Sequence, residues 1–257
     1  MVLLATESPS ELVTFLTAIS KITDEIVLRV KEGGLAFRGM DTAHISMIDM
    51  LLPRSYFSVY ELDEGEEVLS VMADKVVKFL KSVKKNERLE ISKDKERGRM
   101  VMKAVSGYIR EFAVPLLSLE ESPELGLPKV ELPVTYKITC SILVEALKNI
   151  KQVSDRVKLL ATQDELQIRG ESDEGYETAV SLKYGSVEVI DREVRDESKL
   201  PASSTYNIDL LEGVSKELKK VADVVSVSFG SALPLKLSFE ISGDLKFDFY
   251  LAPRVGE

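Results

Sequence analysis

The sequence predicts an α+β protein made by duplication, with two similar domains that each pack two helices on one face of a largely antiparallel sheet. Three observations carry that expectation. "TDEIVLRVKEGGLAFRG" at 23–39 aligns without a gap on "SDRVKLLATQDELQIRG" at 154–170, so that Arg38 and Gly39 face Arg169 and Gly170. "DKVVKFLKSVKKNERLEIS" at 74–92 returns as "DLLEGVSKELKKVADVVSVS" at 209–228, and "YIREFAVP" at 108–115 returns as "KFDFYLAP" at 246–253. The offsets grow from 131 through 135 to 138, as expected for shared elements separated by small loop insertions.

The elements follow in order. Leu12, Phe15, Leu16 and Ile19 fall at helical spacing, behind a "SPSE" opening. There Ser8 is the expected N-cap, with Pro9 in the first turn and Glu11 three residues after the cap. The aligned 23–39 and 154–170 segments each read as strand, tight turn, strand, with turns at Gly33-Gly34 and Gln163-Asp164. A second helix over 72–85 carries Val76, Phe79, Leu80 and Val83; a third carries Leu143, Ala146, Leu147 and Ile150; a fourth carries Leu211, Val214, Leu218 and Val221. These stripes are core faces. Domains are expected at 1–115 and 134–257. Between them, "LLSLEESPELGLPKVELP" at 116–133 has three prolines and a glycine, which makes it an extended connector. Its apolar Leu125, Leu127 and Val130 point to something docking there, against the plainer reading of a bare linker.

Composition narrows the class. Hydrophobic residues are 44% and charged residues 30% of 257, with no run of eighteen apolar residues. The opening "MVLLATESPSELV" lacks the basic start of a signal peptide, so an intracellular protein is expected. The single cysteine, Cys140, reads as a buried small hydrophobe in a reducing compartment. Three Asn and three Gln among many Lys and Glu point to a thermophilic source.

A net charge of −9 argues against nucleic acid as a partner unless the signs are sorted onto different faces. They are sorted. The second helix segment carries Lys75, Lys78, Lys81, Lys84 and Lys85, the third Lys148 and Lys151, and the fourth Lys216, Lys219 and Lys220. Those ten cations face five acids, Asp74, Glu145, Asp209, Glu212 and Glu217, while other acids gather in loops. Any one such helix is an ordinary solvated face; three in related positions of a duplicated fold make a basic surface. It lacks aromatic residues for base stacking, so it predicts weak, sequence-independent, salt-sensitive contact with duplex DNA.

No catalytic chemistry is legible. There is no Walker motif, the sole histidine His44 has no nucleophile or second histidine at a motif spacing, and the acidic loops lack EF-hand spacing. The expectation is no catalytic residue, no metal and no cofactor.

"GLAFRGMDTAHISMIDMLLP" at 34–53, "ELGLP" at 124–128, "ALPLKLSF" at 232–239 and "FYLAPRV" at 249–255 are similar to the sliding clamps of archaeal and eukaryotic DNA replication, the proliferating cell nuclear antigen family. The resemblance spans nearly the whole chain and is closest to the archaeal type. It implies the DNA clamp fold, a trimeric ring of two-domain subunits with helices lining the hole, and no enzymatic activity. It implies tethering of DNA polymerase, flap endonuclease and DNA ligase to DNA, and opening by a separate clamp loader. Partners insert a short peptide into a pocket whose matching positions are Met40, His44, Met47, Leu125, Leu127, Pro128, Pro234, Tyr250, Leu251, Ala252 and Pro253. The helix lysines, with Lys21, would face DNA. Edge strands near 108–114 and 178–184 would join subunits, through Tyr108, Ile109, Arg110, Phe112, Thr178, Val180 and Leu182. Family members often carry lysines on the first helix; here Thr14, Thr17 and Ser20 stand where lysines are expected, with only Lys21 nearby. The resemblance leaves open a homotrimer or a heterotrimer. It places the protein in the cytoplasm with the nucleoid of an archaeon, or in a eukaryotic nucleus. The alternatives are a checkpoint-type clamp subunit of the same fold and an enzyme on a duplicated α+β fold.

Overall fold

The computed structural model describes residues 2–63, 65–118 and 125–254. Most of the expected connector's acidic stretch, including Glu124 of "ELGLP", lies outside those residues, as does Val255 of the final motif. The first copy runs β1 (Val2–Thr6), α1 (Ser10–Ile19), β2 (Glu25–Lys31), β3 (Gly34–Met40), β4 (Ser46–Pro53), β5 (Val59–Leu62), β6 (Glu67–Met72), α2 (Ala73–Leu80), β7 (Arg88–Asp94), β8 (Arg99–Val105) and β9 (Ile109–Pro115). The second repeats that order. It runs β10 (Val134–Thr139), α3 (Cys140–Ile150), β11 (Arg156–Ala161), β12 (Glu165–Glu171), β13 (Glu177–Lys183), β14 (Val189–Val194), β15 (Ala202–Asn207), α4 (Ile208–Leu218), β16 (Val224–Phe229), β17 (Leu235–Glu240) and β18 (Lys246–Leu251).

The chain divides into two compact units. One holds Met1–Thr42, Ile48–Leu125 and Ser242–Phe247; the other holds Ala43–Met47, Gly126–Ile241 and Asp248–Glu257. The first contains the sheet β5-β1-β7-β8-β9 and the strand run β4-β3-β2-β6. The second contains the corresponding runs β14-β10-β16-β17-β18 and β13-β12-β11-β15. The pairs within these runs are antiparallel, both the sequential hairpins such as β7–β8, β11–β12 and β12–β13 and the distant pair β1–β7.

Alternation of the sequence sets the faces. In β11 and β12, Val157, Leu159, Ala161, Leu166 and Ile168 are buried, while Lys158 and Arg169 between them are exposed. The buried face packs on α3 so closely that a Cβ on Gly170 would stand 2.2 Å from Ile150 Cγ2. Cys140 opens α3 at 2% exposure, and burial pushes its thiol up to about 12, so it is inert packing.

Four sequence expectations are corrected here. Ser8 does not cap α1: the helix starts at Ser10 with Pro9 before it, and no side chain of the neighbouring turn caps it. Instead the Tyr56 hydroxyl, from a 3₁₀ turn at Arg54–Tyr56, accepts from Leu12 N–H at 3.3 Å and donates to Ser8 C=O at 2.6 Å. Thr14 and Thr17 are buried rather than surface residues, and the Thr17 hydroxyl is spent on Val13 C=O at 2.7 Å. The second helix ends at Leu80, not 85. Ser82 Oγ donates to Phe79 C=O at 2.7 Å, which satisfies a terminal carbonyl, and Lys84 N–H turns to Glu87 Oε2 at 2.8 Å. Finally, the first hairpin turn is Glu32-Gly33, because Gly34 already belongs to β3. A Cβ at Gly34 would fall 2.2 Å from Leu52 C=O, so glycine is needed there for close approach.

A charged cluster stabilises the first unit. Asp49, buried at 6%, accepts from Arg38 Nε at 2.8 Å and from Lys246 Nζ at 2.5 Å. Burial pushes its carboxyl up, but the two cations outweigh this and hold it below the usual range. A depressed native carboxyl adds stability that is complete above its unfolded value of 3.8 and is lost as pH falls through the native value. Asp49→Ala takes the shared carboxylate away from both cations. Because both are partly solvated, the expected loss at pH 7 is about 2–3 kcal/mol, below the range for fully buried pairs. Urea melts of wild type and variant should converge as pH falls well below 3.8; an equal gap at pH 7 and in acid excludes this role.

Candidate functional site

The lysines come first. All eleven sequence-predicted cations are exposed: Lys21 after α1; Lys75 and Lys78 on α2; Lys81, Lys84 and Lys85 at its end; Lys148 on α3 with Lys151 just past it; Lys216 on α4 with Lys219 and Lys220 just past it. Within each unit the two helices touch, so these side chains share one helical layer. They are not equal. Lys151 is held by Asp209 Oδ1 at 2.8 Å and Glu212 Oε2 at 3.0 Å, Lys220 is engaged by the mostly buried Glu217, and Lys75 lies 3.3 Å from Asp74. The other eight have no ion pair among the described residues. Seven of those lie on or just past α2, α3 or α4, so the free positive charge among the described residues is mainly there. α1 itself bears no lysine, since its residues Leu12 to Ile19 are nearly all core.

The proposed edges come next. β9 is the terminal strand of its five-stranded sheet, and β13 is terminal in its four-stranded run. Tyr108 and Ile109, at the start of β9, are 59% and 65% exposed, and Tyr176 and Tyr184 flank β13 at 63% and 58%. Other named side chains turn inward. Leu182 is buried in the core, Phe112 stacks on Phe79 with ring centres 5.3 Å apart, and Thr178 and Val180 are half-buried. Arg110 is spent inside its own unit, donating to Ser82 Oγ at 2.8 Å, Ser82 C=O at 3.1 Å and Glu87 Oε2 at 2.5 Å. That carboxyl is held below its usual range by Lys84 N–H first and Arg110 second. Sequence reading missed Tyr176, Val187 and Ile190 as exposed apolar groups; their place in a run of loop-like acids hid them.

The residues expected to line a peptide pocket fall in both units. In the second, Ala252 N–H donates to Ile45 C=O at 2.7 Å and Arg254 N–H to Thr205 C=O at 2.8 Å, which pins the "LAP" segment at both ends. This brings Tyr250, Ala252 and Pro253, all half-buried, beside the His44–Met47 segment. Leu251 pairs in register with Leu235, which follows Pro234. Met47 and Leu251, at 4% and 1% exposure, are buried, so neither offers an open side chain. His44 is exposed and adopts a left-handed backbone, φ 58°. Lys236 Nζ lies 5.6 Å from the Tyr250 ring centre, a cation over an aromatic face. Leu127 is half-buried and Pro128 exposed, and no recorded bond ties them to this group. Met40, at the end of β3, and Leu125, whose carbonyl accepts from Arg38 Nη1 at 3.0 Å, belong to the first unit. Among the described residues no group of side chains could hold a metal ion.

A family model described as Rad9 matches residues 12–244. The DNA polymerase sliding clamp of Pyrococcus abyssi is 34% identical over 253 residues, covering 98% of this chain and 97% of that protein. The protein of the same name from Pyrococcus horikoshii is equally similar, over the same shares of each chain. The chain belongs to the sliding-clamp family of Rad9 and PCNA type. Its fold matches the solved structure of PCNA from Thermococcus kodakaraensis at a TM-score of 0.89 and 26% identity, covering 99% of this chain and all of that one. A PCNA2–PCNA3 complex from Sulfolobus tokodaii matches at 0.87 and 27%, again over 99% and 100%.

The expected DNA clamp fold is therefore the fold of this chain, and the protein is a sliding clamp rather than an enzyme. The checkpoint-type alternative is not favoured, since these curated relatives carry the clamp name across almost the whole sequence. No helix among the described residues is long and apolar enough to cross a membrane.

Proposed function

We propose that this clamp closes into a three-subunit ring around duplex DNA, from copies of this chain or with companion chains. In that ring it tethers polymerase, flap endonuclease and ligase through short peptide motifs. The observation that carries the reading is the sorted charge: exposed lysines on and beside α2, α3 and α4 in a chain of net charge −9. Such lysines are mobile point charges, so they hold a phosphate backbone without reading bases and let it slide. The His44–Met47 segment with Tyr250, Ala252 and Pro253 is the proposed seat of the partners' apolar anchors. Met40, Leu125, Leu127 and Pro128 remain part of that proposal through the family resemblance.

The test is primer extension on a singly primed circular template with polymerase and loader. Longer products in a single binding event are expected only when the clamp is present. A His44→Ala/Tyr250→Ala variant is expected to assemble like wild type by light scattering, yet give no longer products. Unchanged product length with loaded wild-type protein excludes the tethering reading.

A further inference from the structure

The two copies treat one arginine differently. Arg38 and Arg169 occupy the same place, 131 residues apart, on β3 and β12. In the first copy Arg38 has partners: Asp49 takes Nε at 2.8 Å, and the connector carbonyl of Leu125 takes Nη1 at 3.0 Å. The connector reaches that point after Leu117 N–H has bonded to Ser70 C=O on β6 at 2.8 Å. The second copy reproduces the start of this path, with Arg254 N–H on Thr205 C=O of β15 at 2.8 Å. It does not reproduce the end. The residue opposite Arg169 on β13 is Ala179, which has no carboxylate to offer, and no described residue bonds the Arg169 guanidinium.

The surroundings of Arg169 increase the imbalance. Lys158 lies directly opposite it in the β11–β12 register, where the first copy has Val27. Two like charges facing each other across strands destabilise a sheet unless an anion lies between them. They line an open groove of about 850 Å³ on the face away from α3, with Thr205 and Ser203 hydroxyls on one side and the small Ala179 on the other. At the far end Glu171 lies opposite Glu177, beside Asp173; among the described residues Asp173 is paired, with Arg156 at 2.6 Å, and the two glutamates have no cation.

We infer that this face of β13-β12-β11-β15 docks an extended acidic segment of a partner protein. The segment supplies to Arg169 and Lys158 the carboxylate and backbone carbonyl that Asp49 and Leu125 supply to Arg38. The Glu171–Glu177 end receives a basic residue of the same segment. A nucleic-acid strand fits poorly, because its continuous phosphates would run from the cations into those acids. The inference is independent of how the clamp is assembled on DNA.

The probe is a fluorescein-labelled peptide with two glutamates followed four residues later by a lysine, titrated with full-length protein in low salt and read by anisotropy. Saturable binding is expected, with Arg169→Ala and Lys158→Ala each weakening it by up to about fivefold. The same peptide with glutamine in place of glutamate should not bind. Melting temperature should stay level or rise in both variants, because the opposed charges are gone. Three results overturn the proposal. These are no saturable binding, equal binding of the glutamine peptide, and a labelled DNA duplex whose affinity falls with Arg169→Ala while the acidic peptide's does not.

Discussion

Tyr108→Asp combined with Ile109→Asp is expected to leave the protein monomeric by light scattering at micromolar concentration and unable to support processive synthesis. Both side chains are more than half exposed in the isolated chain at the terminal strand β9, so the substitutions cost the fold little. In a β9–β13 subunit contact they would bury unpaired carboxylates, at about 2–5 kcal/mol for each disrupted site. The same outcome is expected from Tyr184→Asp at the end of β13. The two edges differ, so the contact is head-to-tail and each subunit uses one edge of each kind. Mixing the β9 variant with the β13 variant therefore restores a single good contact and should yield heterodimers, never rings. A trimer that survives the double substitution removes the edge-pairing proposal.

The second large effect concerns DNA. Replacing Lys78, Lys81, Lys148, Lys216 and Lys219 by alanine together is expected to weaken retention on long duplex by roughly 10²–10⁴-fold, at about 0.5–1 kcal/mol per exposed contact. The slope of log affinity against log salt should flatten by up to about 0.9 per lost phosphate contact. Assembly should be unchanged. Lys151→Ala and Lys220→Ala are the informative controls. Their ammonium groups already belong to Asp209, Glu212 and Glu217, so each should change retention less than Lys78→Ala does. An equal loss at all these positions would show that bulk positive charge, and not the unpaired lysines, holds the DNA.

Both predictions rest on features of unequal legibility. The lysines stood out in the sequence because a helix repeats every 3.6 residues, so apolar and charged positions separate in one dimension. Edge strands are harder: alternation marks a strand, but only the pairing order tells which strand is last. Side-chain direction on those edges was harder still. Phe112 and Leu182 turn inward, and Arg110 is consumed by Ser82 and Glu87, partners 28 and 23 residues away in sequence. On α1, threonines that looked like surface positions are buried because that helix is enclosed on nearly all sides.

By itself the sequence determined the duplication, the two-helix plan of each copy, the sorted charge and the family. Each of these is written in local periodicity or in the alignment of one half on the other. Tertiary structure alone decided which charges remain free. Whether an arginine is engaged, as Arg38 is by Asp49 and Leu125, or open, as Arg169 is among the described residues, depends on groups brought within 3 Å by folding from 11 and 87 residues away. Hydrogen bonds and ion pairs act over ångströms, and no spacing along the chain records such distances.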